Sequence, residues 1–232
     1  MKKYFLLLLF LLIPIISWAD EPQVVLEKAN VNPYDSASIK RGAKFFATVC
    51  MACHALVYMR YDKIAKEAGI TYDKMNFTVK YFGILPPDLS LITRWRSPDW
   101  VYTYLHSFYV DATRPTGFNN LVYPNSAMPN FLAPFQGQQV LATDKTRYMF
   151  VGMPQWYDLL VLQQEGSMTP QQFDATITDV VNFLAYAAEP YRVDQTRLGY
   201  WVVGFFTLFF FFAWRLKREY WKDIKKRFHA KD

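Results

Sequence analysis

The stretch Val49-Cys50-Met51-Ala52-Cys53-His54 contains both cysteines of this 232-residue chain and one of its three histidines. Two cysteines separated by two residues and followed directly by histidine are typical of c-type haem attachment. The two thiols can reach the two vinyl groups, and the adjacent histidine then lies under the iron. A thioredoxin-like redox pair would need a βαβ setting, and a zinc site would need a second ligand pair. The motif therefore predicts one covalently bound haem c, attached through Cys50 and Cys53, with His54 as an axial ligand.

The second axial ligand decides what such a haem can do. A second protein ligand leaves only electron transfer, whereas an open position would allow gas binding or peroxidase chemistry. His106 is the only other histidine before the C-terminal region, and its aromatic helical surroundings favour a packing or surface role. Met128 and Met153 each precede a proline in an irregular stretch that can present a thioether. The residues alone favour Met128 but leave Met153 open.

Apolar periodicity and capping signals predict three helices joined by long loops rich in proline, glycine and asparagine. The first runs from Asp35 to Val49, the second begins at Ser97-Pro98-Asp99, and the third begins at the capping box Thr169–Gln172 and ends at Pro190. Strand alternation and internal repeats are absent from the sequence pattern. The expected core faces are Ile39, Ala43 and Phe46; Val101, Tyr104, Leu105 and Phe108; and Phe173, Ile177, Val180, Val181 and Leu184. The pattern favours a mainly α domain around a large apolar cofactor.

Residues 1–19 have the composition of a secretory signal peptide. Lys2 and Lys3 precede the apolar run Phe5–Ile16, and Ala19 precedes a plausible cleavage position. An uncleaved N-terminal anchor is the alternative. The mature chain is expected to act outside the cytoplasm.

The segment Leu198–Trp214 has seventeen residues without a charge, between Arg197 and Arg215. As a helix it would be roughly 26 Å long, which suits a membrane span with snorkelling arginines. The alternative is a buried helix of a soluble protein. We expect residues 20–196 to form an extracytoplasmic haem domain, 197–215 a transmembrane anchor, and 216–232 a basic cytoplasmic tail.

The formal net charge of +6 belongs to the two ends of the chain. Residues 1–19 carry two lysines and no acid, and residues 198–232 carry eight basic and three acidic side chains. The 178 residues between them carry sixteen basic and seventeen acidic side chains. Because this central region has no basic excess, no nucleic-acid partner is expected, and no charged docking patch is evident.

Several segments around the haem motif are similar to the cytochrome c1 family in its bacterial form, the haem subunit of the quinol–cytochrome c oxidoreductase complex. They are Arg41–Ala43, Tyr58–Tyr61, Leu85–Ser90, Pro98–Tyr102, Pro124–Pro129, Val181–Leu184, Glu189-Pro190 and, after the anchor, Lys217–Asp223. The resemblance covers most of the mature chain. Asp62–Phe82 is shorter than the family pattern, so the conformation of this segment is left open.

The resemblance implies a class I cytochrome c-like haem domain and assigns several site residues. His54 and Met128 would be the axial ligands of the iron, which selects Met128 over Met153. Pro86-Pro87 would lie beside the haem on the His54 side, where a backbone carbonyl can orient the imidazole. Arg96 would pair with a haem propionate.

The resemblance also implies a function and partners. The Rieske iron–sulfur protein, reduced by quinol at cytochrome b, would pass electrons to this haem, and a soluble or tethered cytochrome c would accept them. The anchor would pack against cytochrome b in a dimeric complex of the inner membrane, with the haem domain in the periplasm. No separate substrate chemistry is expected. The alternatives are a haem c electron-input subunit of a terminal oxidase or nitric-oxide reductase, and a tethered haem enzyme or sensor with an open sixth site.

Overall fold

The computed structural model of this chain describes residues 24–75, 77–142 and 156–229. Residues 1–19, expected to be a signal peptide, and Met153 lie outside the described residues. The α-helices are α1 Ser36–Phe45, α2 Lys63–Ala68, α3 Ile92–Trp95, α4 Pro98–His106, α5 Ala133–Gln136, α6 Trp156–Leu159, α7 Pro170–Ala188 and α8 Arg192–His229. The strands form two antiparallel ribbons, β1 Phe108–Val110 with β2 Phe118–Asn120, and β3 Gly137–Leu141 with β4 Leu160–Glu165. The fold is mainly α, as predicted.

The three predicted helix starts are confirmed, and each has the cap that the sequence indicates. The Asp35 carboxylate accepts a backbone N–H at the start of α1. The Ser97 hydroxyl accepts the N–H of Trp100, with proline at the first position of α4. At α7, Thr169 Oγ1 accepts the N–H of Gln172, and Gln172 Oε1 accepts the N–H of Thr169. These contacts satisfy N–H groups that a helix start would leave unpaired.

The core forms where α1 crosses α7. A Cβ atom on Gly42 would lie 2.0 Å from the carbonyl oxygen of Asp179, so only glycine permits this approach. Arg41 joins the two helices at the exposed side of this contact. Its Nε and NH2 donate to the Asp179 carboxylate at 2.6 and 2.8 Å. Asn182 Nδ2 donates to Ser38 Oγ at 3.0 Å within the buried contact. The two helices are thus fixed in one register.

The predicted core faces are confirmed for nearly all of their residues. Leu105 is half-buried, and the others are buried: Ile39, Ala43, Phe46, Val101, Tyr104, Phe108, Phe173, Ile177, Val180, Val181 and Leu184. Packing of these faces, rather than helix propensity, supplies most of the stability of such short helices.

The first helix departs from its predicted end. The α-helix stops at Phe45, and Phe46–Cys50 form one turn of π-helix, in which the N–H of Met51 donates to the carbonyl of Phe46 at 3.0 Å. Single π turns insert a residue into a helix and are frequent at functional sites. Here the wider turn leads directly into the haem motif.

Two ribbons appear where the sequence pattern predicted loops, and Phe108 belongs to β1 instead of the preceding helix. β1 and β2 have three residues each, too few to show alternation. β3 and β4 pair with a register shift between Gln138 and Gln139. Alternation of apolar residues could not reveal strands of this length and composition.

Helix α8 carries the predicted anchor. Its portion Arg192–Lys222, 31 residues, is long and apolar enough to cross a membrane. No residue in the most apolar stretch of this portion is buried. Within the described ranges it is the one helix with these properties. The class of fold expected from the sequence, a mainly α domain with one C-terminal apolar helix, is therefore the fold observed.

Candidate haem site

A cavity of about 420 Å³ lies between the haem motif, helices α3, α4 and α7, and the loop after β2. Its walls are mostly apolar, as ligand pockets generally are. Every site residue named from the sequence lines it: Cys50, Cys53, His54, Pro86, Pro87, Arg96 and Met128. Residues up to 78 positions apart in the chain are thus brought to one cavity.

His54 is oriented by a single backbone contact. Its Nδ1 lies 2.8 Å from the carbonyl oxygen of Pro87. Because a carbonyl can only accept, Nδ1 carries the proton, and Nε2 keeps the lone pair that a metal needs. This is the usual arrangement around a ligating histidine. The contact brings the Pro87 carbonyl to the imidazole of His54.

Burial sets the protonation of the motif. It lowers the pKa of His54, although the Pro87 carbonyl and the Asp88 carboxylate oppose the change. The imidazole is therefore neutral at pH 7. Burial raises the pKa of the Cys50 thiol to about 12, with a smaller contribution from Cys53. Thiol–disulfide catalysis needs a lowered thiol pKa, so the structure argues against a redox-active pair.

A clasp of hydrogen bonds joins the segment after His54 to the Pro-Pro segment. The Asp88 carboxylate accepts the N–H of Val57 at 2.8 Å and that of Ser90 at 2.9 Å. The N–H of Tyr58 donates to Ser90 Oγ, and that of Leu89 donates to the carbonyl of Ala55. These contacts hold the Pro87 carbonyl against His54, so His54 depends on Asp88 and Ser90 for its orientation.

The loop that carries Met128 is pinned at its beginning by two buried asparagines. Asn120 Oδ1 accepts the N–H groups of Val122 and Tyr123, at 2.9 and 3.1 Å. Asn119 Oδ1 accepts the N–H of Asn125 at 2.8 Å, where the backbone has a φ of 65°. Asparagine tolerates that left-handed conformation better than most residues. The side-chain amides therefore replace the backbone pairing that this irregular loop lacks.

The end of the loop is attached to helix α4. Tyr104 Oη and Ser126 Oγ lie 2.8 Å apart, and Ser126 Oγ accepts the N–H of Met128 at 3.2 Å. Burial raises the pKa of Tyr104 to about 12, which keeps its hydroxyl protonated over the physiological range. Met128 itself is half-buried in the cavity wall.

Arg96 lies at the cavity in an aromatic cage. Its guanidinium carbon is 4.5 Å from the ring centre of Trp95, 5.1 Å from that of Trp100 and 5.8 Å from that of Tyr123. Each ring face attracts the cation, and together they limit where the flexible side chain can reach. The cage thus places a positive charge at one edge of an apolar cavity.

His106 takes the packing role that the sequence favoured. It is 3% exposed, and its ring contacts Tyr102, Trp156 and Phe173. It is not among the described residues that line the cavity.

The donor set fits a haem c. Two cysteines at the attachment spacing, a neutral imidazole with a free Nε2 and a thioether border one apolar cavity, with a guanidinium beside them. Fold and site together define a membrane-anchored c-type cytochrome.

Comparison with known proteins specifies the class further. A model of the cytochrome c1 family matches residues 26–82 and 73–224. Cytochrome c1 of Allochromatium vinosum is 40% identical over 97% of this chain and 100% of its own length. The ammonia monooxygenase gamma subunit of Nitrosomonas europaea is 34% identical over 95% of this chain and 97% of its own length. Cytochrome c1 of Blastochloris viridis is 25% identical, over 83% of each.

The chain belongs to the cytochrome c1 family. It carries one covalently bound haem c and is the haem electron-transfer subunit of a quinol–cytochrome c reductase, a membrane complex. The sequence-based predictions of family, cofactor and function are confirmed.

Sequence reasoning missed the residues that support the ligands. The Asp88–Ser90 clasp, the Asn119-Asn120 pair and the Tyr104–Ser126 contact are formed by ordinary polar residues. Two asparagines in succession before a loop were the one available signal, since a buried amide is kept only where it is paired. Sequence reasoning also missed the aromatic cage of Arg96. Trp95 and Trp100 lie near Arg96 in the sequence, whereas Tyr123 comes from a distant loop.

Proposed function

We propose that Cys50 and Cys53 hold the haem by thioether bonds, that His54 and Met128 are its axial ligands, and that Arg96 binds a propionate. The observation that carries this assignment is the shared cavity, which brings Met128 from a distant loop to the motif. When bound, the haem supplies one-electron redox chemistry at its iron.

The chain's own residues suit rapid electron transfer without substrate chemistry. His54 and Met128 would hold the iron through an imidazole and a thioether, and with both bound no position would remain for oxygen or another small ligand. The Pro87 carbonyl orients His54, and apolar walls keep water away. A thioether ligand and a dry pocket both raise the reduction potential, and Arg96 offsets the charge of a propionate.

We place the haem domain, residues 20–196, in the periplasm, with 197–215 in the inner membrane and 216–232 in the cytoplasm. The N-terminal residues 1–19 serve as the signal peptide. The support is the uncharged stretch Leu198–Trp214 of α8 and the basic residues that follow this stretch in the same helix, which by the positive-inside rule stay in the cytoplasm.

Within the membrane complex, we assign three partners by family membership. The Rieske iron–sulfur protein donates the electron, cytochrome b packs against the anchor helix, and a soluble or tethered cytochrome c accepts the electron. The complex is dimeric. The apolar side chains of α8 between Leu198 and Trp214 are exposed, which supports a helix partner in the bilayer.

Purification in mild detergent tests the partners. A tagged full-length chain should co-purify with cytochrome b and a Rieske subunit, and the complex should transfer electrons from quinol to cytochrome c. Co-purification with the catalytic subunit of an oxidase or nitric-oxide reductase would contradict the assignment. As a control, a chain ending at residue 196 should retain its haem but lose the membrane partners.

A further inference from the structure

We propose that Tyr104 and Ser126 are positioning residues for the Met128 thioether, and that together they hold the sixth coordination position closed. This inference rests on the proposed function, in which Met128 is the axial ligand.

Ser126 links the loop that carries Met128 to helix α4. Its side chain is buried, with 3% of the residue exposed, two residues before Met128. Its Oγ accepts the N–H of Met128 at 3.2 Å and is hydrogen-bonded to Tyr104 Oη at 2.8 Å. One hydroxyl therefore ties the backbone of Met128 to a side chain of α4.

Tyr104 is a rigid anchor for that contact. Its ring stacks on Trp100, with centres 4.9 Å apart and planes 10° apart, and meets the edge of Phe108 at 4.9 Å. Aromatic contacts on two sides leave the ring one orientation. The position of the tyrosine hydroxyl is thus set by α4 and β1 and not by the loop.

The same helix also holds the start of the loop. Asn120 Nδ2 donates to the carbonyl of Tyr104 at 2.8 Å, and Asn120 Oδ1 receives two loop N–H groups. Asn119 fixes the N–H of Asn125. Residues 119–125 are held in this way, and the Ser126 contact then fixes the backbone from Ser126 to Met128.

Fixing the backbone matters because a methionine side chain is flexible. Met has three rotatable bonds, and each must be ordered when the sulfur binds iron. A backbone already held in place reduces the entropy that this bond costs. One buried hydrogen bond changes such an equilibrium about fivefold.

The test compares three single variants of the full-length protein in detergent. Tyr104→Phe removes the anchor hydroxyl, and Ser126→Ala removes both hydrogen bonds of the link. Tyr102→Phe is the matched control, since it removes a partly buried tyrosine hydroxyl from the same helix, where the partner is Asp174. Two readouts are used: the near-infrared thioether-to-iron band of the ferric protein, and carbon monoxide affinity of the ferrous protein.

Tyr104→Phe should weaken the near-infrared band and raise the apparent carbon monoxide affinity about fivefold, because the Met–iron bond that carbon monoxide must displace is weaker. Ser126→Ala should have a larger effect, and adding Tyr104→Phe to it should change little, because both act through one link. Tyr102→Phe should leave both readouts at wild-type values. Equal changes in Tyr104→Phe and Tyr102→Phe, or no change in either Tyr104→Phe or Ser126→Ala, would overturn the proposal.

Hydrogen exchange gives an additional readout that does not involve the haem. The amide of Met128 should exchange about fivefold faster in Tyr104→Phe than in wild type or Tyr102→Phe. An unchanged rate would count against the link.

Failure of this inference can be told from failure of the proposed function. If Met128→Leu keeps the near-infrared band, Met128 is not the ligand and the proposed function is wrong in its site. If Met128→Leu loses the band but Tyr104→Phe behaves like Tyr102→Phe, only the positioning role is wrong.

Discussion

At the residue scale, the two proposed ligands are supported in different ways. His54 is oriented by a backbone carbonyl, which no substitution of Pro87 removes directly. Met128 is oriented by side-chain contacts, which single substitutions do remove. Single substitutions can therefore test the support of the thioether directly, and the support of the imidazole through Asp88 and Ser90.

Substitution of Met128 by leucine should open the sixth position while keeping the side chain apolar. We expect the near-infrared thioether band to disappear, the ferrous protein to bind carbon monoxide readily, and the reduction potential to fall. Redox titration and carbon monoxide difference spectra measure these effects. Met153→Leu should match wild type, and the reverse pattern would assign the ligand to Met153.

Asp88→Asn tests the clasp that holds the Pro87 carbonyl. Both Asp88 oxygens accept a backbone N–H, so an amide replaces one acceptor with a donor. We expect a loss of about 1 kcal/mol in the free energy of unfolding, because the segment is exposed. Urea unfolding of the detergent-solubilised protein measures it. The control Glu67→Gln removes only a surface ion pair to Lys40 and should cost under about 0.5 kcal/mol; equal losses would refute the clasp.

At the element scale, the haem motif depends on how α1 crosses α7. The π turn Phe46–Cys50 follows α1 directly, so the crossing of α1 and α7 determines the position of Cys50. The two helices approach closely at Gly42, and Arg41 pairs with Asp179 beside it.

Gly42→Ala should separate α1 from α7. The added Cβ would lie 2.0 Å from a backbone oxygen of α7, which cannot move away alone. We expect a loss of about 3 kcal/mol in stability or poor haem incorporation. Thermal unfolding followed by circular dichroism provides the measurement. Gly199→Ala, where nothing lies within 4 Å, should not destabilise the head; a neutral Gly42→Ala would show that the crossing can relax.

Local signals made the three capped helices α1, α4 and α7 predictable, whereas the short helices α2, α3, α5 and α6 were not predicted. Caps at Asp35, Ser97 and Thr169 act within four residues, so the sequence alone shows them. The ribbons are different. Paired residues of β3 and β4 are 19 to 28 positions apart, and β3 contains glutamines where an apolar alternation would be expected. Long-range pairing of this kind has no local signature.

The candidate site was predictable to a similar extent. Cys50, Cys53 and His54 follow from one motif, whereas Met128 needed a family resemblance to be separated from Met153. The supporting hydrogen bonds, such as that between Tyr104 and Ser126, depend on tertiary packing that no spacing in the sequence encodes.

At the scale of the whole molecule, acid should destabilise the haem domain. Burial lowers the pKa of His106. The hydrogen bond of its ring to the carbonyl of Tyr102 and the charges of Asp174 and Glu27 only partly oppose the lowering. Above about pH 6.5 the ring is neutral both folded and unfolded. As the pH falls below that value, the unfolded chain takes up the proton first, so stability decreases until the folded pKa is reached.

Thermal unfolding midpoints at pH 7.5 and pH 5.5 measure this dependence. Wild type should lose more stability between the two values than His106→Gln, which has no proton to take up at this site. An identical pH dependence in both proteins would show that His106 does not contribute.

Charge and hydropathy divide the chain into a nearly neutral head and a basic, membrane-suited C-terminal end. This division matches a head that exchanges electrons outside the membrane while the anchor keeps it beside its electron source. The central claim is that the haem held by this chain lies on the electron path between quinol and cytochrome c.

Stopped-flow spectroscopy of the detergent-purified complex tests that claim most directly. After mixing with quinol, the absorbance of reduced haem c in this chain should rise first, and added cytochrome c should then be reduced at the rate at which this haem is reoxidised. The same experiment with Met128→Leu, whose haem of lowered potential should stay oxidised, should show slower reduction of cytochrome c. Reduction of cytochrome c at an undiminished rate while this haem stays oxidised would contradict the account.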